Sequence, residues 1–151
     1  MTESLPHIDW PDLYARLREM GKPYDKVFAD VQTLPNSNEI LQAGEYALEK
    51  GAFEQFNEAV FKAYFSDLRD IGSRGVIIEL GEECGLDAIE LGRTLDENRY
   101  QERLHAVTAE ARSRGINSAP TFIIDQTCAI AGMQSEEQFR QLLQKIIESR
   151  S

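Results

Sequence analysis

Two cysteines, Cys84 and Cys128, and two histidines, His7 and His105, are the side chains best suited to redox, nucleophilic or metal chemistry in this 151-residue sequence. Their spacing offers little. A redox pair needs two neighbouring thiols at a helix N-terminus, so that one is held as thiolate and the other resolves the mixed disulfide. Cys84 and Cys128 lie far apart, and neither belongs to a CxxC or to the paired spacing of a zinc knuckle. With two histidines no metal site is expected. Each cysteine therefore reads as a small buried hydrophobe. A Cys84–Cys128 disulfide stays open on sequence grounds, though a cytosolic setting disfavours it.

The stretch "INSAPTFIIDQTCAIAGMQSEEQF", residues 116–139, is more informative. Pro120 opens the apolar run "TFII". Asp125, Gln126 and Thr127 then form a turn without the glycine that a tight two-residue turn prefers, and "CAIA" follows, so a hairpin with a looser loop is expected. Ser135 with Gln138 reads as a capping box, starting a last helix that carries Phe139, Leu142, Leu143, Ile146 and Ile147. The first strand is apolar on both faces, which suits a buried central strand, and a two-stranded hairpin is marginal alone. Something must lie beside it.

The elements upstream are helical. Asp9 caps a first helix with Pro11 in its opening turn and Trp10, Leu13, Tyr14, Leu17 and Met20 at helical spacing, stopped by Gly21. "KPYDKVFADVQTLPNSN" is extended or irregular. Asn36 with Glu39 resembles a capping box for a helix through Ile40, Ala43, Ala47 and Leu48. Phe53, Phe56, Val60, Phe61 and Tyr64 form an aromatic stripe that reads as core. Ser73 caps a helix to Cys84, and Asp87 with Glu90 opens a short one. A longer helix over about 99–114 carries Leu104, Val107 and Ala111 inward and ends at Gly115. The tally is about six helices, a hairpin and a closing helix.

A hydrophobic content of 42% and a formal charge of −10 fit an ordinary acidic globular chain. They exclude nucleic acid and anionic membrane as partners, because both need clustered Lys and Arg. "MTESLPHIDW" has neither the basic nor the apolar region of a secretory signal, and no apolar run approaches about 18 residues, so a cytoplasmic protein is expected.

In combination, "LPNSNEILQAGEYALEKGAFEQFNEAVFKAYFSDLRDIGS", "GLDAIELGRTL", "RSRGINSAPTFIID" and "GMQSEEQF" resemble the DsbA-like thioredoxin family over roughly residues 10–148. Within it the chain is similar to the FrnE-like thiol–disulfide oxidoreductases, relatives of 2-hydroxychromene-2-carboxylate isomerase. The resemblance implies a mostly α protein with a small β hairpin, a partial thioredoxin-like fold of DsbA type. Residues 1–115 would be the helical insertion and its approach, and 116–151 the closing ββα, packed as one unit. Pro120 matches the family's cis-proline, and the resemblance implies that Ala119, Pro120 and Thr121 offer backbone to a peptide or glutathione. Gly132, Met133, Gln134 and Ser135 occupy the place where the isomerase relatives hold glutathione at a helix N-terminus; plain capping by Ser135 is the competing reading.

The family's opening strand, its CxxC helix and the next strand should precede residue 10, where nine residues stand. No catalytic residue is therefore assigned, and thiol–disulfide turnover is not expected of this chain alone. The alternatives are a non-catalytic peptide- or glutathione-binding or assembly module and a glutathione-dependent isomerase relative; the latter's nucleophile is also missing. An open apolar edge on "TFII" is a pairing template, so a homodimer through that edge is expected, unless "YDKVFADV" supplies a replacement strand.

Overall fold

The computed structural model describes residues 9–31, 34–125 and 128–148. His7, and Gln126 and Thr127 of the expected turn, lie outside the described residues. The chain divides into two compact units, residues 1–104 and 105–151.

In the first unit, α1 (Trp10–Gly21) starts where the Asp9 carboxylate accepts the Asp12 N–H at 3.0 Å. Its last residue is Gly21, where a Cβ would lie 2.6 Å from the Lys26 carbonyl oxygen and 2.8 Å from the Phe28 ring, so only glycine fits. A single 3-10 turn, Lys22–Tyr24, follows. Four helices then build the core: α2 (Asn38–Glu49), α3 (Phe53–Phe65), α4 (Arg74–Glu83) and α5 (Ala88–Asp96). Tyr46, Phe56, Ile77, Leu80, Leu91 and Leu95 are all essentially inaccessible to water. The chains of α4 and α5 approach closely at Gly81, where a Cβ would fall 2.5 Å from Leu91 Cδ2.

"YDKVFADV" forms no strand. Its backbone is engaged by the end of α3, with the Ala29 N–H donating to the Phe65 carbonyl at 2.7 Å and the Phe28 ring edge-on to Phe65. Leu48 is exposed because α2 buries the face bearing Ile40, Ala43, Tyr46 and Ala47. On α3 the buried positions narrow to Phe56 and Ala63; Phe53 and Phe61 stand outside, and Phe61 stacks on Phe65 at the surface. Met20 is likewise exposed. Asn36 forms no reciprocal box: its side chain accepts the Asn38 N–H at 3.0 Å, while Glu39 turns to Arg74. Ser73 precedes α4 without a side-chain cap bond.

Polar side chains tie these helices together. The Arg74 guanidinium reaches Glu39 at 3.2 Å, the Gly92 carbonyl at 2.7 Å and Asp96 at 2.6 Å, linking α2, α4 and α5. Gln42 is wholly buried, its Nε2 facing Asn38, Asn98 and Gln101 oxygens at 2.9, 3.2 and 3.4 Å. Three acceptors compete for two amide hydrogens. The Tyr100 hydroxyl donates to the Glu49 carboxylate.

The helix α6 (Gln101–Ser113) has no buried residue: Leu104 and Ala111 are half-buried and Val107 is exposed, contrary to the inward face expected for them. In the second unit, β1 (Thr121–Ile124) and β2 (Cys128–Ala131) pair antiparallel with Phe122 opposite Ile130 and Ile124 opposite Cys128. Asp125 takes the left-handed conformation after β1. The ring of Phe139 on α7 (Glu136–Glu148) meets Phe122 edge-on at 4.9 Å. The strand β1 is not buried on both faces: Phe122 is 43% and Ile123 46% exposed. The sheet has two strands among the described residues. On α7 Phe139, Leu142, Leu143 and Ile146 reach only half-burial and Ile147 is exposed. The architecture is mostly helical with one two-stranded antiparallel sheet, the class read from the sequence.

Candidate functional site

The two segments singled out in the sequence, 119–121 and 132–135, meet. The Gly132 N–H donates to the Pro120 carbonyl at 2.8 Å, closing the open end of the hairpin. Gly132 has φ +78°, a conformation that favours glycine, and its missing Cβ would touch nothing within 4 Å. Backbone conformation and not crowding therefore explains glycine there. The Ala119–Pro120 peptide bond is cis, Thr121 Oγ1 donates to the Ser118 carbonyl at 2.6 Å, and Gln134 Nε2 donates to the Ala131 carbonyl at 3.2 Å. Ala119, Pro120 and Met133 are exposed.

Ser135 and Gln138 form a complete capping box. The Ser135 N–H donates to Gln138 Oε1 at 3.1 Å, and the Gln138 N–H donates to Ser135 Oγ at 3.2 Å. Two N–H groups that an anion would use at the start of α7 are thereby taken. Glu136 and Glu137 in the first turn already complement the positive end of the helix dipole. The Ser135 hydroxyl bonds an amide, not a base. What the cluster presents is main chain and apolar surface.

Cys84 lies at the other extreme of a helix. It is the C-cap of α4, its N–H directed at the Leu80 and Gly81 carbonyls. Burial, and then the neighbouring Glu83 charge, push its thiol above the ordinary value. A nucleophilic thiol requires the opposite on both counts. Cys84 is a free thiol packed against the hydrophobic core. Cys128 opens β2 opposite Ile124, at the far end of the hairpin from Pro120. His105 lies on α6. Among the described residues no group of three or more His, Cys, Asp or Glu side chains could hold a metal ion, and no helix is long and apolar enough to cross a membrane.

The tertiary links around Gln42, Arg74 and Tyr100 were not read from the sequence. The available signal was a polar residue, Gln42, set in the apolar stripe of α2 four residues after Asn38.

The profile of a family described as DSBA-like thioredoxin domain matches residues 13–144. The uncharacterized protein YwbO of Bacillus subtilis (strain 168) is 27% identical over 117 residues, covering 77% of this chain and 58% of that protein. The crystal structure of a probable DsbA oxidoreductase from Streptomyces coelicolor superposes with a TM-score of 0.78 at 23% identity, covering 93% of this chain and 61% of that one. This chain thus spans about three-fifths of the length of both. With the profile running through the helical core, the hairpin and most of α7, the chain belongs to the DSBA-like thioredoxin domain family.

Proposed function

We propose that the chain supplies the helical unit and the closing ββα of a thiol–disulfide oxidoreductase lineage, and that alone it performs no thiol–disulfide exchange. The observation carrying this reading is the placement of Cys84 at a helix C-terminus, with burial holding its thiol protonated. Exchange runs through a thiolate with a nearby resolving thiol, and the sequence contains no CxxC. The name of the Streptomyces coelicolor protein supports the lineage.

The residues 119–121 and 132–135 are then contact surface for a substrate chain. Glutathione is the weaker ligand for them, because the capping box and Glu136 and Glu137 already serve the helix end that its carboxylate would seek. A cytoplasmic setting belongs to the same reading.

The test is turnover. The chain at micromolar concentration, given dithiothreitol and insulin, should precipitate insulin no faster than dithiothreitol alone, and Cys84→Ser and Cys128→Ser should leave that rate unchanged. Acceleration abolished by either single substitution would contradict the proposal.

A further inference from the structure

We infer that the contact between α2 and α5 encloses one ordered water molecule, hydrogen-bonded to the Gln42 side-chain amide and to the Thr94 hydroxyl.

The register of the two helices brings those side chains together. At one end of the contact Asn98 Oδ1 lies 3.2 Å from Gln42 Nε2, and at the other the charges of Asp87 and Glu90 act on the Tyr46 phenol. The helices therefore run antiparallel along this face. Glu90 and Thr94 are one turn apart on α5, as Gln42 and Tyr46 are on α2. Thr94 thus stands opposite the turn of α2 between Gln42 and Tyr46. The close of α5 fixes the spacing. Asn98 takes φ +49°, and the Asn98 and Arg99 N–H groups donate to the Leu95 and Thr94 carbonyls at 3.2 and 3.1 Å, a Schellman turn that presents Asn98 to Gln42.

Both side chains are 0% exposed, and each carries an oxygen without a hydrogen-bond partner. Gln42 Nε2 faces three side-chain amide oxygens, while Oε1, at the other end of the same group, has no partner. Exchanging the amide's oxygen and nitrogen leaves that end equally unmet. A helical threonine commonly bonds its hydroxyl to a carbonyl one turn back; Thr94 Oγ1 makes no such bond. Groups packed on the outside of the helical unit cannot reach either oxygen, because neither side chain has surface to offer.

The chemistry of the two groups selects the occupant. An amide and a hydroxyl are neutral, and they do not offset the cost of burying an ion. Glu45, on the next turn of α2, also has a buried oxygen, but Arg103 Nε stands 2.8 Å from it and meets its charge. Water is small, both donates and accepts, and makes about two to four hydrogen bonds when buried. One water donating to Gln42 Oε1 and sharing a hydrogen bond with Thr94 Oγ1 satisfies both oxygens and buries no charge.

A crystal structure of the full chain tests this directly: a water oxygen should lie within about 2.7–3.2 Å of both Gln42 Oε1 and Thr94 Oγ1. In solution, oxygen-17 relaxation dispersion counts the waters held longer than the protein takes to tumble. Thr94→Val, which keeps the shape and removes the hydroxyl, should lower that count by one and lower the folding equilibrium constant about tenfold. Thr94→Ser keeps the hydroxyl and should keep the count. Density showing the two oxygens bonded to protein atoms, or facing an empty space, would overturn the inference. So would a Thr94→Val variant with an unchanged count that folds as well as the wild type or better, the result expected of a hydroxyl with no partner at all.

Discussion

Phe56→Ala should lower stability by about 3–5 kcal/mol, the usual cost of truncating a buried phenylalanine. Phe56 is 2% exposed and packs within the cluster of Tyr46, Ile77, Leu80, Leu91 and Leu95. The surrounding helices are pinned by Arg74 and by the close α4–α5 approach at Gly81, so they can collapse only partly into the space. Against a total of about 5–15 kcal/mol for a domain, that is a large fraction. Phe61, from the same stripe, is 55% exposed, and Phe61→Ala should cost about 1 kcal/mol or less, chiefly its stacking on Phe65. Urea titration of the two variants checks this. Equal losses would mean that the core is not where the structure puts it.

Raising the pH from 10 to 12 should remove about 2 kcal/mol of stability through Tyr100 alone. Burial, and then the hydrogen bond to Glu49, push its phenol up to about 12 from an ordinary 10. The group is neutral when protonated, so the raised value favours the folded state wherever the proton is kept. Its contribution is complete below pH 10. It is lost as the unfolded chain, which ionises near 10, releases a proton that the folded chain retains. Tyr14, Tyr46 and Tyr64, also raised chiefly by burial, act in the same direction. In Tyr100→Phe the fall between pH 10 and 12 should therefore be shallower, not absent. A wild-type stability that is flat to pH 12, or a variant that falls as steeply, would contradict the buried Tyr100–Glu49 contact.

Local signals were the legible part. Asp9 and Asp87 cap their helices, at 3.0 and 2.8 Å, because an N-cap needs only a side chain and a backbone N–H three residues on. The Ser135–Gln138 box is equally local. Asn36 and Ser73 fitted the same patterns and failed, since Glu39 found a stronger partner in Arg74 and Ser73 makes no cap bond. Arg74 and Tyr100 take partners from helices distant in sequence, and Gln42 adds Asn98 and Gln101 to its local partner Asn38, links that periodicity does not encode. The stripe on α7 and the two apolar faces of β1 were readable as apolar, but what covers them is not among the described elements. Of the candidate site, residues 119–121 and 132–135 were named from the resemblance; that Pro120 and Gly132 meet, and that the α7 N-terminus is occupied, required the geometry.

The proposed function requires the Cys84 thiol to be at rest. The most direct measurement is the pH dependence of Cys84 alkylation by iodoacetamide in the Cys128→Ser variant. A thiol buried at the end of α4 beside Glu83 should titrate above the ordinary cysteine value of about 8.5. A midpoint below 7 would identify an activated thiolate and contradict the account.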